Sequence, residues 1–375
     1  MATMKAFFNN LQISFVLIFV CLVGCQKHSH QAPPKPASQL TFLNDTVLPS
    51  TANPNGKHLM VVFIHGTILP RPSMSAFFSS IHKKITGNKE HKSWHQLYQD
   101  EIKNRSIYRY QPSGPDGLHA VESQYSAQIA AAMYQKLFSK PCHCYTFGWN
   151  GKLSQRKRLM AANDLYKQLL KEKQDLKQKY GKIEVIVIGH SHGGNVALNL
   201  ARVEDTQKQH LLIDKLVLLG TPIQSETAGY VNATCFKKIY NFYSKGDLVQ
   251  TIDNISTRDD WSARKFKMQN ERLVQVELKI GNKKPGHNEL WLFCGKDNWL
   301  YRKRSLALSP FPVFVFLPII LQQLDKNVKS AQDVLLKIDK KDQRLCFAFS
   351  DSKHNFKTDV DEQSLNKYRE AILTY

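Results

Sequence analysis

A serine with a glycine two residues before it and another two residues after it is the part of this sequence best suited to chemistry. Gly189, Ser191 and Gly193 have the spacing GxSxG, directly after the apolar run IEVIVI and before the helix-forming run NVALNLA. A serine on a sharp turn between a strand and a helix has a strained backbone, and glycines prevent side chains from colliding across that turn. The motif in this context predicts that Ser191 is a nucleophile.

The segment GHSHGG resembles the corresponding turn of bacterial serine esterases and lipases in the α/β-hydrolase superfamily. The resemblance covers residues 57–325. It implies an α/β fold with a mostly parallel central sheet flanked by helices, and a Ser-His-Asp triad with the order nucleophile, acid and histidine along the chain. It also implies acyl transfer that needs no metal and no other cofactor.

Two histidines follow the region where the acid is expected. His287 lies in the loop KKPGHNEL after the alternating run LVQVELKI, and His354 follows the apolar run LCFAFS. The segment FVFLPIILQQLD resembles the last core helix of the superfamily, which makes the later residues an extension and favours His287 as the base. His190 and His192 flank the serine, but side chains at these positions point away from the nucleophile, so structural roles are expected for them.

The acid of the triad is expected in the loop after the predicted strand that ends in IYNFY. Asp247 in SKGDLVQ fits the GDxV pattern of the superfamily. A carboxylate there would hold the imidazole in the required tautomer and stabilise the imidazolium ion. Asp253, Asp259 and Asp260 are alternatives, but they lie further from the end of the strand. The sequence therefore favours Asp247.

An oxyanion hole requires two hydrogen-bond donors. The backbone N–H of His192, directly after the serine, is the expected first donor. The run VVFIHGT resembles the superfamily's HG turn and offers the N–H of Thr67 as the second, with Gly66 leaving room for a substrate carbonyl. Trp149 in FGWNG is expected either to line the pocket or to pack in the core.

These residues need a scaffold that brings distant loops together. From residue 57 onwards, short apolar runs alternate with amphipathic helices, a pattern typical of a parallel sheet that is covered on both faces. Strands are predicted at 58–64, 144–148, 183–188, 215–219, 238–243 and 273–280, and the clearest helix at 153–180. The polar stretch 87–122 is interpreted as an insertion that could cover the site.

The N-terminus predicts export and lipid attachment. An apolar run over residues 13–23 follows Lys5, and it ends in LVGC at residues 22–25, which resembles the lipobox of bacterial lipoproteins. Cys25 would carry the lipid, and Gln26 implies the outer membrane of the cell envelope. The predicted organisation is a signal peptide at 1–24, a proline-rich tether at 25–56, a hydrolase domain at 57–325 and a C-terminal extension at 326–375.

Composition and charge restrict the remaining classes of protein. Of the 375 residues, 42% are hydrophobic and 22% are charged, which excludes a disordered chain. The net charge of +21 raises the possibility of a nucleic-acid partner, but no motif supports one, and none is expected. The triplet Cys142-His143-Cys144 lacks the second ligand pair of a zinc site, so no metal is expected.

We therefore expect a carboxylic ester hydrolase that acts on lipid or acyl esters at a membrane to which Cys25 attaches it. A thioesterase or an acyltransferase would use the same triad. A non-catalytic surface lipoprotein, with the fold kept as a binding module, is the alternative from another class.

Overall fold

The structure of the chain is a computed structural model. It describes residues 39–42, 57–67, 134, 141–149, 151–253, 262–268, 270–291, 307–309, 311–328, 332–352, 354–361 and 365–366. All of these residues belong to one compact unit, Ala37–Thr67 with Asn104–Tyr375. The predicted signal peptide, Cys25 and the stretch 87–122 lie outside the described residues. Within the described ranges, no helix is both long enough and apolar enough to cross a bilayer.

Ten strands form a single sheet in the described part of the chain. They are β1 Gln39–Phe42, β2 His58–Ile64, β3 Cys142–Gly148, β4 Ile183–His190, β5 Lys215–Leu219, β6 Ile239–Tyr243, β7 Leu273–Ile280, β8 Gln332–Lys341, β9 Arg344–Ser350 and β10 Asn355–Asp361. The helices are α1 Gln155–Tyr180, α2 His192–Leu198, α3 Leu200–Gln207, α4 Ser225–Ala228, α5 Val249–Ile252 and α6 Leu317–Asn327. Short 3₁₀ turns span Gly229–Asn232, Asn288–Leu290 and Val313–Phe316.

The strand order is β1-β3-β2-β4-β5-β6-β7-β8-β9-β10. Every pairing from β3 to β8 is parallel, whereas β1 and the β8–β9–β10 edge pair antiparallel. The predicted α/β fold with a mostly parallel central sheet is therefore confirmed. Because parallel strands have their carboxyl ends at one edge, the loops after β2, β4, β6 and β7 meet there.

Helices cover both faces of the parallel part of the sheet, which explains its unbroken apolar strands. All residues of β2 and β6 are buried. On one face the apolar side of α1 packs through Leu165 and Leu169, together with α2 and α3. On the other face lies α6, with Leu317 and Leu321. The central strands are thus held rigidly, and so are the loops that follow them.

The sheet continues beyond the region expected to form the hydrolase domain. The helix α6 spans the predicted boundary at residue 325. After it, β8 pairs in parallel with β7 from Val274↔Gln332 to Ile280↔Ile338, and β9 and β10 extend the same sheet. Within the predicted tether, β1 pairs with β3 at the opposite edge.

Candidate active site

Ser191 occupies a strained turn between β4 and α2. Its φ is 52° and its ψ is −131°, a conformation that non-glycine residues rarely adopt. The turn closes tightly: a Cβ added at Gly189 would lie 2.6 Å from the Cα of Gly194, and one added at Gly193 would lie 2.5 Å from the carbonyl oxygen of His65. Both positions therefore need glycine, as the motif predicted, and the turn presents Ser191 at the carboxyl edge of the sheet.

His287 and Asp247 meet at the same edge, although they follow different strands. The Nδ1 of His287 lies 2.7 Å from Oδ2 of Asp247. The Asp247 side chain is fully buried, whereas that of His287 is 14% exposed. Since a carboxylate accepts from Nδ1–H, Nε2 of His287 can serve as a proton acceptor. The structure brings together the histidine and the acid that the sequence favoured.

The surroundings of this pair fix its position. The Nε of Arg264 donates to the backbone oxygen of Asp247 at 3.0 Å, and the backbone N–H of Gln250 donates to its Oδ1 at 3.4 Å. Gly220 has a φ of 58°, and a Cβ there would lie 2.9 Å from Oδ2 of Asp247 and 3.2 Å from Nδ1 of His287. A larger residue at Gly220 would therefore press on both members of the pair.

His190 connects the serine turn to the loop that carries His287. Its ring lies 4.6 Å from that of His287 and is stacked on Trp291 at 5.2 Å. Its Nε2 lies 3.3 Å from the carbonyl oxygen of His287, so it donates a hydrogen bond to that backbone. Burial lowers the pKa of His190 well below its usual value, and the ring is neutral. These contacts agree with the expected structural role.

Among the described residues, Ser191 makes no side-chain hydrogen bond to His287. Such bonds are often long or poorly aligned without substrate, and they tighten when the reacting complex forms. The elbow and the pair are nevertheless neighbours, because His190 directly precedes Ser191 and contacts His287.

The turn after β2 lies against the serine. A Cβ added at Gly66 would be only 2.8 Å from Cβ of Ser191, so this position too requires glycine. Thr67 follows directly, in the position expected for the second oxyanion donor. Its hydroxyl is buried and has no hydrogen-bond partner among the described residues.

The sequence did not predict the hydrogen bonds that fix the turn after β2. The backbone N–H of Trp149 donates to Nε2 of His65 at 3.1 Å, and the indole N–H donates to the His65 carbonyl at 2.8 Å. Because Nε2 accepts, Nδ1 of His65 carries the proton, which it donates to the Gly66 carbonyl at 2.8 Å. Burial lowers the pKa of His65 to about 4, which keeps the ring neutral. Trp149 is 5% exposed, so the structure favours the packing role.

A second histidine–aspartate pair lies beneath the elbow. The Nε2 of His192 lies 3.3 Å from Oδ2 of Asp253, which also accepts from Gln224 at 2.7 Å. The Oε1 of Gln224 in turn accepts from Nη2 of Arg158 at 2.9 Å. Burial, and next the charge of Arg158, lower the pKa of His192 to about 3. Asp253, an alternative for the acid, is thus placed with His192 rather than with His287.

The remaining candidates lie elsewhere. The side chain of His354 is 63% exposed and lies 3.5 Å from Asp351, in the turn between β9 and β10. Asp259 and Asp260 fall outside the described residues. The thiols of Cys142 and Cys144 lie 3.4 Å apart. The Nε2 of His143 lies 3.1 Å from Nδ1 of His58. The described residues include no group of three or more side chains that could hold a metal ion.

A comparison with protein families finds a match to part of the chain. A family model described as a PGAP1-like alpha/beta domain matches residues 123–275, which is less than half of the chain. That segment includes Ser191 and Asp247 but ends before His287. No curated protein matches the chain.

Several solved structures are similar to the chain at low identity. A lipase-esterase related protein from Clostridium acetobutylicum is 10% identical over 50% of this chain and 48% of its own, with a TM-score of 0.23. An esterase from Pyrobaculum calidifontis is 10% identical over 88% of this chain and 81% of its own, with a TM-score of 0.30. A lipase/esterase from Lactobacillus plantarum is 8% identical over 79% of this chain and 88% of its own, with a TM-score of 0.29. The chain spans about half the length of the first of these.

Proposed function

We propose that the chain is a serine hydrolase that cleaves carboxylic esters, with Ser191 as nucleophile, His287 as general base and Asp247 as the group that orients His287. One observation carries the proposal: a serine with a φ of 52° and a histidine–carboxylate pair at 2.7 Å lie at the same edge of one parallel sheet. Backbone strain of this kind costs free energy and persists mainly where function requires it.

In the proposed reaction, Oγ of Ser191 attacks the ester carbonyl carbon and its proton passes to Nε2 of His287. The π electrons of the carbonyl move onto its oxygen, and the resulting oxyanion accepts hydrogen bonds from the backbone N–H groups of His192 and Thr67. The C–O bond of the ester then breaks, and the imidazolium returns the proton to the leaving alkoxide. Asp247 stabilises the positive charge that His287 carries between these steps.

A water molecule completes the cycle. It attacks the acyl-enzyme while His287 takes its proton, and the acid product leaves when the proton reaches Oγ of Ser191. The chain's own groups supply each proton transfer, so this mechanism uses neither a metal nor a cofactor.

We further propose that the substrates are lipid or acyl esters and that the chain acts at the bacterial outer membrane, attached through Cys25. The support comes from the apolar run that ends in LVGC at residues 22–25. A lipid-anchored hydrolase meets membrane esters at high local concentration, which favours them over freely soluble esters.

Hydrolysis of p-nitrophenyl esters of increasing chain length tests the proposal. We expect Ser191→Ala to lower turnover by a factor on the order of 10⁶ and to abolish labelling by a fluorophosphonate. Ser225→Ala, at an exposed serine, should leave both unchanged. Retention of activity and labelling by Ser191→Ala would refute the assignment, and the order of the esters by kcat/KM would report the preferred acyl length.

A further inference from the structure

Two loops at the carboxyl edge of the sheet form a surface beside the His287–Asp247 pair that the proposed chemistry does not use. One loop follows β6 and the other follows β7. They pack directly on each other, because a Cβ added at Gly246 would lie 2.3 Å from the carbonyl oxygen of Lys284. We call the exposed residues of these loops the rim patch: Lys245, Leu248, Val249, Lys283 and Lys284.

The apolar part of the rim patch is unusually exposed. Leu248 is 64% exposed and Val249 is 40% exposed. Only four large hydrophobic residues are exposed in the described ranges, and the other two, Met160 and Met268, lie apart from each other on α1 and in the segment before β7. Two consecutive apolar side chains on one loop, next to a buried acid, are more than the scattered exposure that is normal on a protein surface.

The same two loops also carry three exposed lysines. The side chain of Lys245 is 57% exposed and pairs with Glu277 at 2.9 Å. Lys283 and Lys284 are exposed and have no ion pair among the described residues. Two backbone hydrogen bonds between Ile280 and Lys283, at 2.9 and 3.0 Å, fix the turn that carries them. The patch therefore presents uncompensated positive charge on a rigid turn.

Exposed apolar side chains and exposed lysines on two loops that pack together fit one kind of partner well. At the boundary of a bilayer, Leu and Val can enter the acyl region while lysine ammonium groups contact anionic headgroups. We propose that the rim patch binds the surface of an anionic phospholipid bilayer reversibly. This contact would turn the carboxyl edge of the sheet, with Ser191, toward the membrane. It uses none of the residues assigned to ester hydrolysis and does not depend on that activity.

Co-sedimentation of the full chain with vesicles tests this proposal. All variants carry Ser191→Ala, so that no lipid is consumed, and each binds vesicles of phosphatidylcholine alone or with part of it replaced by phosphatidylglycerol. Any contribution of the N-terminus is common to all variants. The quantity compared is the partition coefficient in each kind of vesicle.

Removing charge and removing apolar area should have different effects. Lys283→Gln with Lys284→Gln should weaken binding to anionic vesicles by about five-fold per lysine and leave binding to neutral vesicles unchanged. Leu248→Ser with Val249→Ser should weaken binding to both kinds several-fold. The control for the lysine substitutions is Lys167→Gln with Lys177→Gln, at exposed positions of α1. The control for the apolar substitutions is Met160→Ser with Met268→Ser, at the other two exposed apolar side chains.

Two results would overturn the proposal. One is that the partition coefficients of the rim variants fall no more than those of their matched controls. The other is that Lys283→Gln with Lys284→Gln weakens binding to neutral and anionic vesicles equally. Thermal unfolding of each variant checks that it is folded. Because binding is measured without hydrolysis, the rim patch can fail while the esterase assignment stands, and the converse also holds.

Discussion

The loops around Ser191 carry two histidine–aspartate pairs, which differ in the distance between their atoms and in the exposure of the histidine. His287 and Asp247 are 2.7 Å apart, and the His287 side chain is 14% exposed. His192 and Asp253 are 3.3 Å apart, and the His192 side chain is only 4% exposed. The histidine of the first pair is therefore accessible to solvent, whereas both members of the second pair are buried.

The partners of each carboxylate explain the difference. Asp247 faces His287 and is held from behind through its own backbone oxygen by Arg264. The Oδ2 atom of Asp253 contacts both His192 and Gln224, and Gln224 in turn accepts a hydrogen bond from Arg158. In the proposed mechanism the first pair serves acid–base chemistry. The second pair is less suited to it, because burial and the charge of Arg158 oppose a charged His192 imidazole.

Substitutions in the two pairs should differ most in their effect on kcat. We expect His287→Ala to lower kcat by a factor on the order of 10⁶ and Asp247→Asn by about 10⁴. His192→Asn and Asp253→Asn should each cost no more than about ten-fold, because the backbone N–H at position 192 remains available to the oxyanion.

Steady-state kinetics with one soluble p-nitrophenyl ester measures all four variants. His354→Ala is the control for loss of a histidine, and its kcat should equal that of the wild type. If His192→Asn lowered kcat as much as His287→Ala does, the assignment of His287 as the base would be wrong.

The sequence predicted the first pair but not the second. The resemblance to the α/β-hydrolase superfamily implied the order of the triad residues, and the position of each loop after a strand then favoured Asp247 and His287 over the alternatives. The network of His192, Asp253 and Arg158 depends on how three loops pack against α1, and no motif encodes that packing. One signal was present: Arg158 precedes Ala162, Leu165 and Leu169 on the same helical stripe, so an inward position could have been inferred.

The fold was predictable to a similar extent. Parallel strands buried on both faces show as apolar runs, and the predicted strands from 58–64 to 273–280 agree with β2 to β7 within two residues. The edge strands are harder to predict because one of their faces stays polar. In β8, for example, buried Val334, Leu336 and Ile338 alternate with more exposed side chains, and β10 is largely polar.

The surroundings of the second pair should matter for the stability of the fold. Arg158 is fully buried, and its side chain bonds to Gln224 beside the Asp253 carboxylate. Arg158→Met should lower the free energy of unfolding by about 3 kcal/mol, because it removes a buried guanidinium that interacts favourably with the Asp253 carboxylate and donates a hydrogen bond to Gln224. Urea denaturation measures the loss. Arg156→Met, at an exposed position on the same helix, should change stability by less than about 0.5 kcal/mol. Equal effects of both substitutions would show that the buried network does not stabilise the fold.

The pH dependence of stability provides the finest distinction. His192 has a folded pKa of about 3 against an ordinary value of 6.5, because burial and Arg158 oppose its protonation. As the pH falls below 6.5, the histidine binds a proton in the unfolded chain but not in the folded one. Folding stability therefore falls with decreasing pH, at up to about 1.4 kcal/mol per pH unit from this group, until the pH nears 3.

His65 and His143, each with a pKa lowered to about 4 chiefly by burial, add to the same slope. His192→Asn removes one of these groups, so the loss of stability between pH 7 and pH 5 should shrink by about 2 kcal/mol. Urea denaturation at the two pH values measures this difference, and His354→Asn, at an exposed site, should leave it unchanged. An unaltered slope in His192→Asn would mean that His192 takes up its proton in the folded chain.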